Sequence, residues 1–357
     1  MNSQVPPPIP PNKPVFIPGL THHFVAPVAV DRIPIIDVAN DAPELAQDKL
    51  TRGANTLGAV LLRNLPINPD FGSIRGLFDT LYNNPFLQQR LHNRQQNQAA
   101  GGRGGGGPFQ LEGKWSGDHG VDDKASLAFP ARALSRLNNL PIRRHLGPNF
   151  DNTANFFEAT INELIPWVLQ GTENIISNGS GQEVDMFQVH NEGHYSLRLI
   201  DYHQTSENPK PGARAHRDGS VATIIFQDGT GGLEVQDSVT GEWIPVPGGE
   251  TVLMWGSSGA ILSGGRIIAC HHRVMPIHSQ RRNVAVVFIG ADGNTPLRSL
   301  VPGQQALGQA FLPQNSTVGD FRNMFLQMRQ WRRAMNQQGQ AMAQSSQLPP
   351  NSPQYGA

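Results

Sequence analysis

The sequence predicts a mainly β protein with flanking helices, an α+β fold whose core is a sandwich or jelly roll. Three observations carry this. From Tyr195 onward the hydrophobic period changes from helical to alternating, beginning with Ser196-Leu197-Arg198-Leu199-Ile200-Asp201-Tyr202. The strand-like runs that follow, as far as Phe288, are separated by turn sequences at 228–232, 238–241 and 247–249. Upstream of Tyr195 the apolar residues recur at helical spacing instead. An unbroken series of short strands fits a sandwich or jelly roll, not the alternating strands and helices of a parallel sheet.

Composition bounds the rest. The 357 residues allow one large domain or two small ones, and Lys+Arg and Asp+Glu stand at 28 each. A balanced charge argues against a polyanion as the main partner, so no nucleic acid is expected. Cys270 is the sole cysteine, which excludes an internal disulfide and favours a reducing compartment. The opening M-N-S-Q-V-P-P-P-I-P-P has no apolar core of a signal peptide, and no apolar run is long enough to span a bilayer. The expectation is a soluble, cytoplasmic monomer acting on a small molecule.

In chain order, residues 1–30 read as a proline-rich, extended arm, since five of the first eleven residues are proline. Residues 31–190 read as a helical region. Ile33–Asp37 is a short strand, and Asp41 caps a helix with Pro43 in its first turn. Leu45, Leu50, Ala54 and Leu57 form that helix's buried face, Gly58 stops it, and Ala59–Leu62 is a strand. Ile74, Leu77, Phe78 and Leu81 mark a second helix. The pattern lapses at 95–121, where Q-N-Q-A-A-G-G-R-G-G-G-G implies a mobile loop, either a plain surface insertion or a lid. It has glycine but no G-K-[ST], so it is no phosphate loop. A long helix over Asn152–Ser177, kinked by Pro166, buries Phe157, Ile161, Leu164, Ile165, Val168 and Leu169. The β core occupies 191–295. A C-terminal helical segment at 296–335 opens at Ser316 or Thr317 with Asp320, and its stripe is Phe321, Met324, Phe325, Met328 and Trp331. The Gln/Ser/Pro-rich tail at 336–357 reads as disordered.

The β core carries the chemistry. His216 and Asp218, two residues apart, share one face if they lie on a strand, and a further histidine comes at 271 or 272. Two imidazoles and one carboxylate with the other coordination positions open suit a non-haem Fe(II) centre. A zinc hydrolase uses the same ligand types. Taken alone, H-x-D is as well explained by a surface histidine near an aspartate.

The surrounding residues resemble the isopenicillin N synthase-like branch of the Fe(II)/2-oxoglutarate-dependent dioxygenases. The family's H-T-D-x-G-x-L-T-L-L-x-Q-D pattern is matched by His216-Arg217-Asp218 and then Thr223-Ile224-Ile225-Phe226-Gln227-Asp228. Gly231-Gly232-Leu233-Glu234-Val235 matches its G-G-L-Q-V, and Trp243 to Pro247 its W-x-x-V-P. Leu262-Ser263-Gly264-Gly265-Arg266 and His272-Arg273-Val274 match its L-S-N-G-R and H-R-V. Ile33–Asp37 and Gly58–Ile67 resemble its I-P-x-I-D and G-F-F-x-x-x-N-H-G-I, with Leu65 in place of the histidine. The resemblance implies a double-stranded β-helix (jelly roll) with His216, Asp218 and His272 as Fe(II) ligands. His271, the neighbour on the strand, then faces away, while Ile268 and Cys270 share the inward face of His272.

It further implies that 2-oxoglutarate and O2 are co-substrates, the far carboxylate of 2-oxoglutarate being held by an R-x-S pair. Here the triplet is Arg282-Asn283-Val284, and the family's N-x-Y is Ile200-Asp201-Tyr202. Arg282 and Tyr202 are therefore the expected co-substrate residues, with Arg281 a solvated strand-end cation. No catalytic residue is expected beyond the metal ligands. The implied activity is hydroxylation, desaturation or ring closure on a small organic molecule of secondary metabolism. Val284 in place of serine keeps open an Fe(II) oxidase of this fold that does not use 2-oxoglutarate. A silent binding protein on a jelly-roll scaffold is the third alternative.

Overall fold

The computed structural model describes residues 32–87, 89, 110–113, 124–131, 143–202, 211–276, 281–304 and 315–324. The proline-rich arm, the glycine-rich run before 110 and the C-terminal tail lie outside them. Twelve strands are present among the described residues: β1 (Ile35–Asp37), β2 (Ala59–Arg63), β3 (Gln110–Gly113), β4 (Lys124–Pro130), β5 (Tyr195–Tyr202), β6 (Ala213–His216), β7 (Ala222–Gln227), β8 (Leu233–Gln236), β9 (Trp243–Pro245), β10 (Thr251–Trp255), β11 (His272–Val274) and β12 (Arg282–Ile289). They form an eight-stranded sheet, ordered β1-β2-β10-β7-β12-β5-β4-β3, and a four-stranded sheet, ordered β6-β11-β8-β9. Every pairing is antiparallel except β1 with β2.

The large sheet is buried on both faces, which is why β7, β10 and β12 read as nearly continuous apolar runs. One face of β7 and β12, with Ile224, Phe226, Ala285 and Val287, packs in the core that holds the helices. The other, with Ile225, Val284 and Val286, meets Ala213, Leu233, Val235 and Val274 of the small sheet. This second core fills the space between the two sheets of the jelly roll.

The helices are α1 (Pro43–Thr56), α2 (Phe71–Tyr82), α3 (Arg143–Ala159), α4 (Ile165–Ser180) and the short α5 (Ser257–Leu262), which the alternating pattern did not announce. Asp70 caps α2 through Gly72 N–H. For α1 the cap is Ala42, not Asp41, whose carboxylate takes Asp37 N–H and Lys49 instead. Leu45 is exposed at 47% and Ala46 takes the buried position. The predicted helix over Asn152–Ser177 starts earlier. It also runs through a π-turn, Thr160–Leu164, immediately before Pro166. Pro166 has no N–H for the i→i−4 ladder, and the wider turn accommodates that gap. Ile161 is only half-buried there.

Gly58 ends α1 at φ 67°, and a Cβ on it would lie 2.2 Å from the Ile268 carbonyl oxygen. Only glycine fits this turn. Strands β3 and β4 fall in or beside the stretch expected to be loop, and extend the large sheet beyond β5. At the other end, Thr317 and Asp320 cap each other reciprocally and Phe321 is buried. The rest of the predicted C-terminal stripe, beyond Met324, lies outside the described residues. Among those described, no helix is long and apolar enough to cross a membrane.

Candidate metal centre and anion site

His216 ends β6 and lies opposite His272, the first residue of β11. Their rings sit 4.3 Å apart, centroid to centroid. Asp218 is not on the strand: β6 stops at His216, and the carboxylate is carried by the turn into β7. That turn is pinned by Ser257 N–H to the Asp218 carbonyl at 2.7 Å and by Ser258 Oγ to the Gly219 carbonyl at 2.6 Å. The same-face rule for a strand is therefore not what brings the two ligands together.

Each imidazole is oriented by its own backbone. His216 Nδ1 faces the Arg214 carbonyl at 2.6 Å, and His272 Nδ1 faces the Cys270 carbonyl at 3.3 Å. A carbonyl only accepts, so Nδ1 carries the proton in both rings and Nε2 keeps its lone pair. The two Nε2 atoms approach Asp218 Oδ1 at 3.6 and 4.0 Å. One donor atom from each of the three residues lies within 4.8 Å of the others. Metal bonds of about 2.1 Å set the donors of one ion about 3–4 Å apart, so this set fits a single cation.

The second oxygen is already engaged. Thr223 Oγ1 donates to Asp218 Oδ2 at 2.7 Å, and Ser220 Oγ in turn donates to Thr223 Oγ1 at 2.9 Å. Asp218 thus offers one oxygen to a cation. Burial alone would raise the Asp218 carboxyl, but His272, His216 and the hydroxyl bond outweigh it and hold it well below the carboxylate range. Burial pushes His272, 4% exposed, down to about 4, which keeps it a neutral donor. His271 turns away from the cluster, with Nδ1 on Gln236 Oε1 at 2.6 Å and its ring against Trp243. Cys270 is buried, but Ile268 is half-buried and precedes the strand; Ile267 is the buried neighbour.

Arg282 opens β12 directly opposite Tyr202 on β5, and its guanidinium lies over the Tyr202 ring at 4.9 Å. It is 1% exposed. Nε donates to the Thr230 carbonyl at 3.1 Å and Nη2 to Gln227 Oε1 at 2.7 Å, while Nη1 is buried with no hydrogen bond. Burial lowers the proton affinity of this guanidinium against the pull of Tyr202 and Asp228. A buried cation with an unused donor fits a carboxylate. Val284 also faces this inner core and brings no hydroxyl. Thr223 and Gln227 sit four residues apart on one face of β7, about 13 Å by strand rise, so the metal cluster and the anion site share that face.

Arg281 is not a solvated cation. It bridges Asp79 of α2 at 2.6 Å and the fully buried Asp201 of β5 at 2.8 Å. Sequence alone offers Thr223 and Gln227 only as motif letters, because their roles depend on cross-strand register. A second acidic cluster, Glu192, His194 and Asp292, is a local loop arrangement in which Asp292 Oδ1 accepts Glu192 N–H and Glu192 pairs with His194.

A jelly roll that gathers two histidines and one carboxylate beside a buried arginine has the donor set that a non-haem Fe(II) oxygenase would need. Comparison with known proteins agrees. Residues 185–291 match the family model of the 2OG-Fe(II) oxygenase superfamily. Feruloyl CoA ortho-hydroxylase 2 of Arabidopsis thaliana is 35% identical over 94 residues, 25% of this chain and 26% of the relative. Clavatol oxidase of Penicillium crustosum is 38% identical over 115 residues, 29% of this chain and 33% of the relative. The chain thus spans about a quarter to a third of the length of these relatives. The solved structure of dioxygenase for auxin oxidation 1 from Arabidopsis thaliana, a 2-oxoglutarate binary complex, superposes with TM-score 0.60 at 18% identity. It covers 77% of this chain and 99% of that one. The dioxygenase for auxin oxidation of rice also gives 0.60 at 18% identity, covering 83% and 95%. Both likenesses establish the shared fold.

Proposed function

We propose that the protein is a non-haem Fe(II)- and 2-oxoglutarate-dependent dioxygenase of the isopenicillin N synthase-like type. It would oxidise a small organic molecule of secondary metabolism by hydroxylation, desaturation or ring closure. The observation that carries this reading is the buried Arg282, with Nη1 unbonded, on the same inner face as the His216–Asp218–His272 cluster. A metal cluster alone fits a hydrolase or a binding protein equally well. The added carboxylate site is what a 2-oxoglutarate enzyme needs.

Bound Fe(II), with O2 and 2-oxoglutarate, supplies a two-electron oxidation of the substrate coupled to conversion of 2-oxoglutarate to succinate and CO2. The chain's own work is placement. His216 and His272 offer Nε2 lone pairs, and Asp218 offers Oδ1 while Thr223 restrains Oδ2. Arg282 takes the far carboxylate, with the Tyr202 ring against its guanidinium. Ile225, Met254, Val284 and Val286 wall the inner face with hydrocarbon, which excludes water from the reacting groups. The sequence relatives act on feruloyl CoA and clavatol-type substrates by name, which supports a small-molecule substrate here. Balanced charge and a sole, buried cysteine support a cytoplasmic monomer.

Val284 favours one second reading, an Fe(II) oxidase in which Arg282 holds the substrate's own carboxylate. Succinate release with Fe(II), with and without 2-oxoglutarate, separates the two. Ala at His216, Asp218 or His272 should abolish Fe(II) binding and turnover, whereas His271→Ala should spare both. Iron retained by His272→Ala and lost by His271→Ala would reverse the assignment of the third ligand.

A further inference from the structure

Arg282 is held by neutral groups alone, and the way it is held assigns a role to a residue so far without one. Gln227 is 3% exposed. Its Nε2 donates to two backbone carbonyls, Glu250 at 3.0 Å and Pro247 at 3.3 Å. Both amide hydrogens are thereby committed, so the amide cannot flip, and Oε1 must point to Arg282 Nη2 at 2.7 Å. The Thr230 carbonyl fixes Nε from the same edge of the guanidinium. Asp228, the nearest acid in sequence, is occupied elsewhere, its oxygens taking Thr230 N–H at 3.0 Å and Asn283 N–H at 2.7 Å. Among the described residues no carboxylate forms an ion pair with Arg282.

Resting on the proposed function, we infer that Gln227 is a positioning residue for co-substrate capture. It locks the guanidinium by one edge through an uncharged contact, and so leaves Nη1 and a cation with no ion-paired carboxylate for an incoming one. Two things follow from its being an amide. An apolar side chain of the same length would fill the space but free the guanidinium to rotate. An acid would hold the guanidinium but neutralise it, placing an internal carboxylate in competition with the ligand. Arg281, the next residue back, shows the contrast: paired with Asp79 and Asp201, it is a structural cation.

The test is an anaerobic titration of the Fe(II)-loaded full chain with 2-oxoglutarate, following the metal-to-ligand charge-transfer band in wild type, Gln227→Met and Gln227→Glu. Fe(II) affinity and the urea midpoint are measured alongside. The expected result is a dissociation constant raised about tenfold in Gln227→Met and about a hundredfold in Gln227→Glu, with Fe(II) affinity unchanged. In steady state the loss should fall on KM for 2-oxoglutarate rather than on kcat at saturation. If Gln227→Met does not fold, Gln227→Glu decides: its urea midpoint reports loss of the two bonds that Nε2 donates to the Glu250 and Pro247 carbonyls, and a raised dissociation constant at an unchanged midpoint reports the neutralised charge. Wild-type binding with Gln227→Glu within twofold of it overturns the inference alone. No 2-oxoglutarate binding by wild type overturns the function reading, and the inference with it.

Discussion

The two oxygens of Asp218 have different partners, and that asymmetry rests on Thr223. Its hydroxyl is fully buried and donates to Oδ2 while Oδ1 faces both histidine Nε2 atoms. Groups that orient metal ligands are worth about ten- to a hundredfold in metal affinity. Thr223→Val keeps the shape and deletes the donor, so Fe(II) binding should weaken by that factor, and Thr223→Ser should restore it. Anaerobic Fe(II) titration checks this; a valine variant that binds within threefold of wild type would leave Asp218 held by its turn alone. The proposed ligand trio was legible through the motifs around it, since H-x-D alone is as well explained by a surface histidine near an aspartate. The roles of Thr223 and Gln227 were not, because threonine and glutamine are unremarkable in strands. Their roles appear only when the turn before β7 and the β7–β12 register bring partners to them.

At the level of the strand, Arg281 just before β12 and Arg282 at its start turn to opposite sides, and the side decides the duty. Arg282 meets the inner core. Arg281 meets α2 and β5, where Asp201 also accepts from Tyr82 and Asn283. Arg281→Ala would leave the Asp201 carboxylate buried without its cation, a loss of about 3 kcal/mol. Urea unfolding should show it as a lower midpoint at unchanged slope, while 2-oxoglutarate affinity stays within twofold of wild type. An unchanged midpoint would mean that Tyr82 and Asn283 suffice. Elements were legible in the sequence where one face alone is buried, as in α2. They were least legible where both faces are covered. Ala125 to Phe129 of β4 is buried throughout and shows no alternation, and β3 lies just past a glycine-rich run. Leu45 misled for a related reason: several frames of an alanine- and leucine-bearing helix offer a plausible apolar stripe, and packing chose the one with Ala46.

For the molecule as a whole, the proposed metal ligands and the apolar core are separate contributors. The core between the sheets is built of Ile225, Leu233, Val235, Met254, Val284 and Val286, none of them a ligand. A chelator should therefore leave the far-UV spectrum and the urea slope intact. It should remove only the stabilisation that ligand binding adds, about 2.7 kcal/mol at a metal concentration of a hundred times Kd. Collapse of the far-UV signal on chelation would instead make the metal structural.

The pairing of His216 with His272 sets an order of events in the life of the chain. The two residues are 56 positions apart (272 − 216), with β7 to β10 and α5 between them. Closing so long a span is entropically unfavourable until the intervening strands have paired. A partly folded chain therefore presents only His216 and Asp218, too few donors to retain iron against water. All three donors meet only once β11 is seated between β6 and β8 of the small sheet.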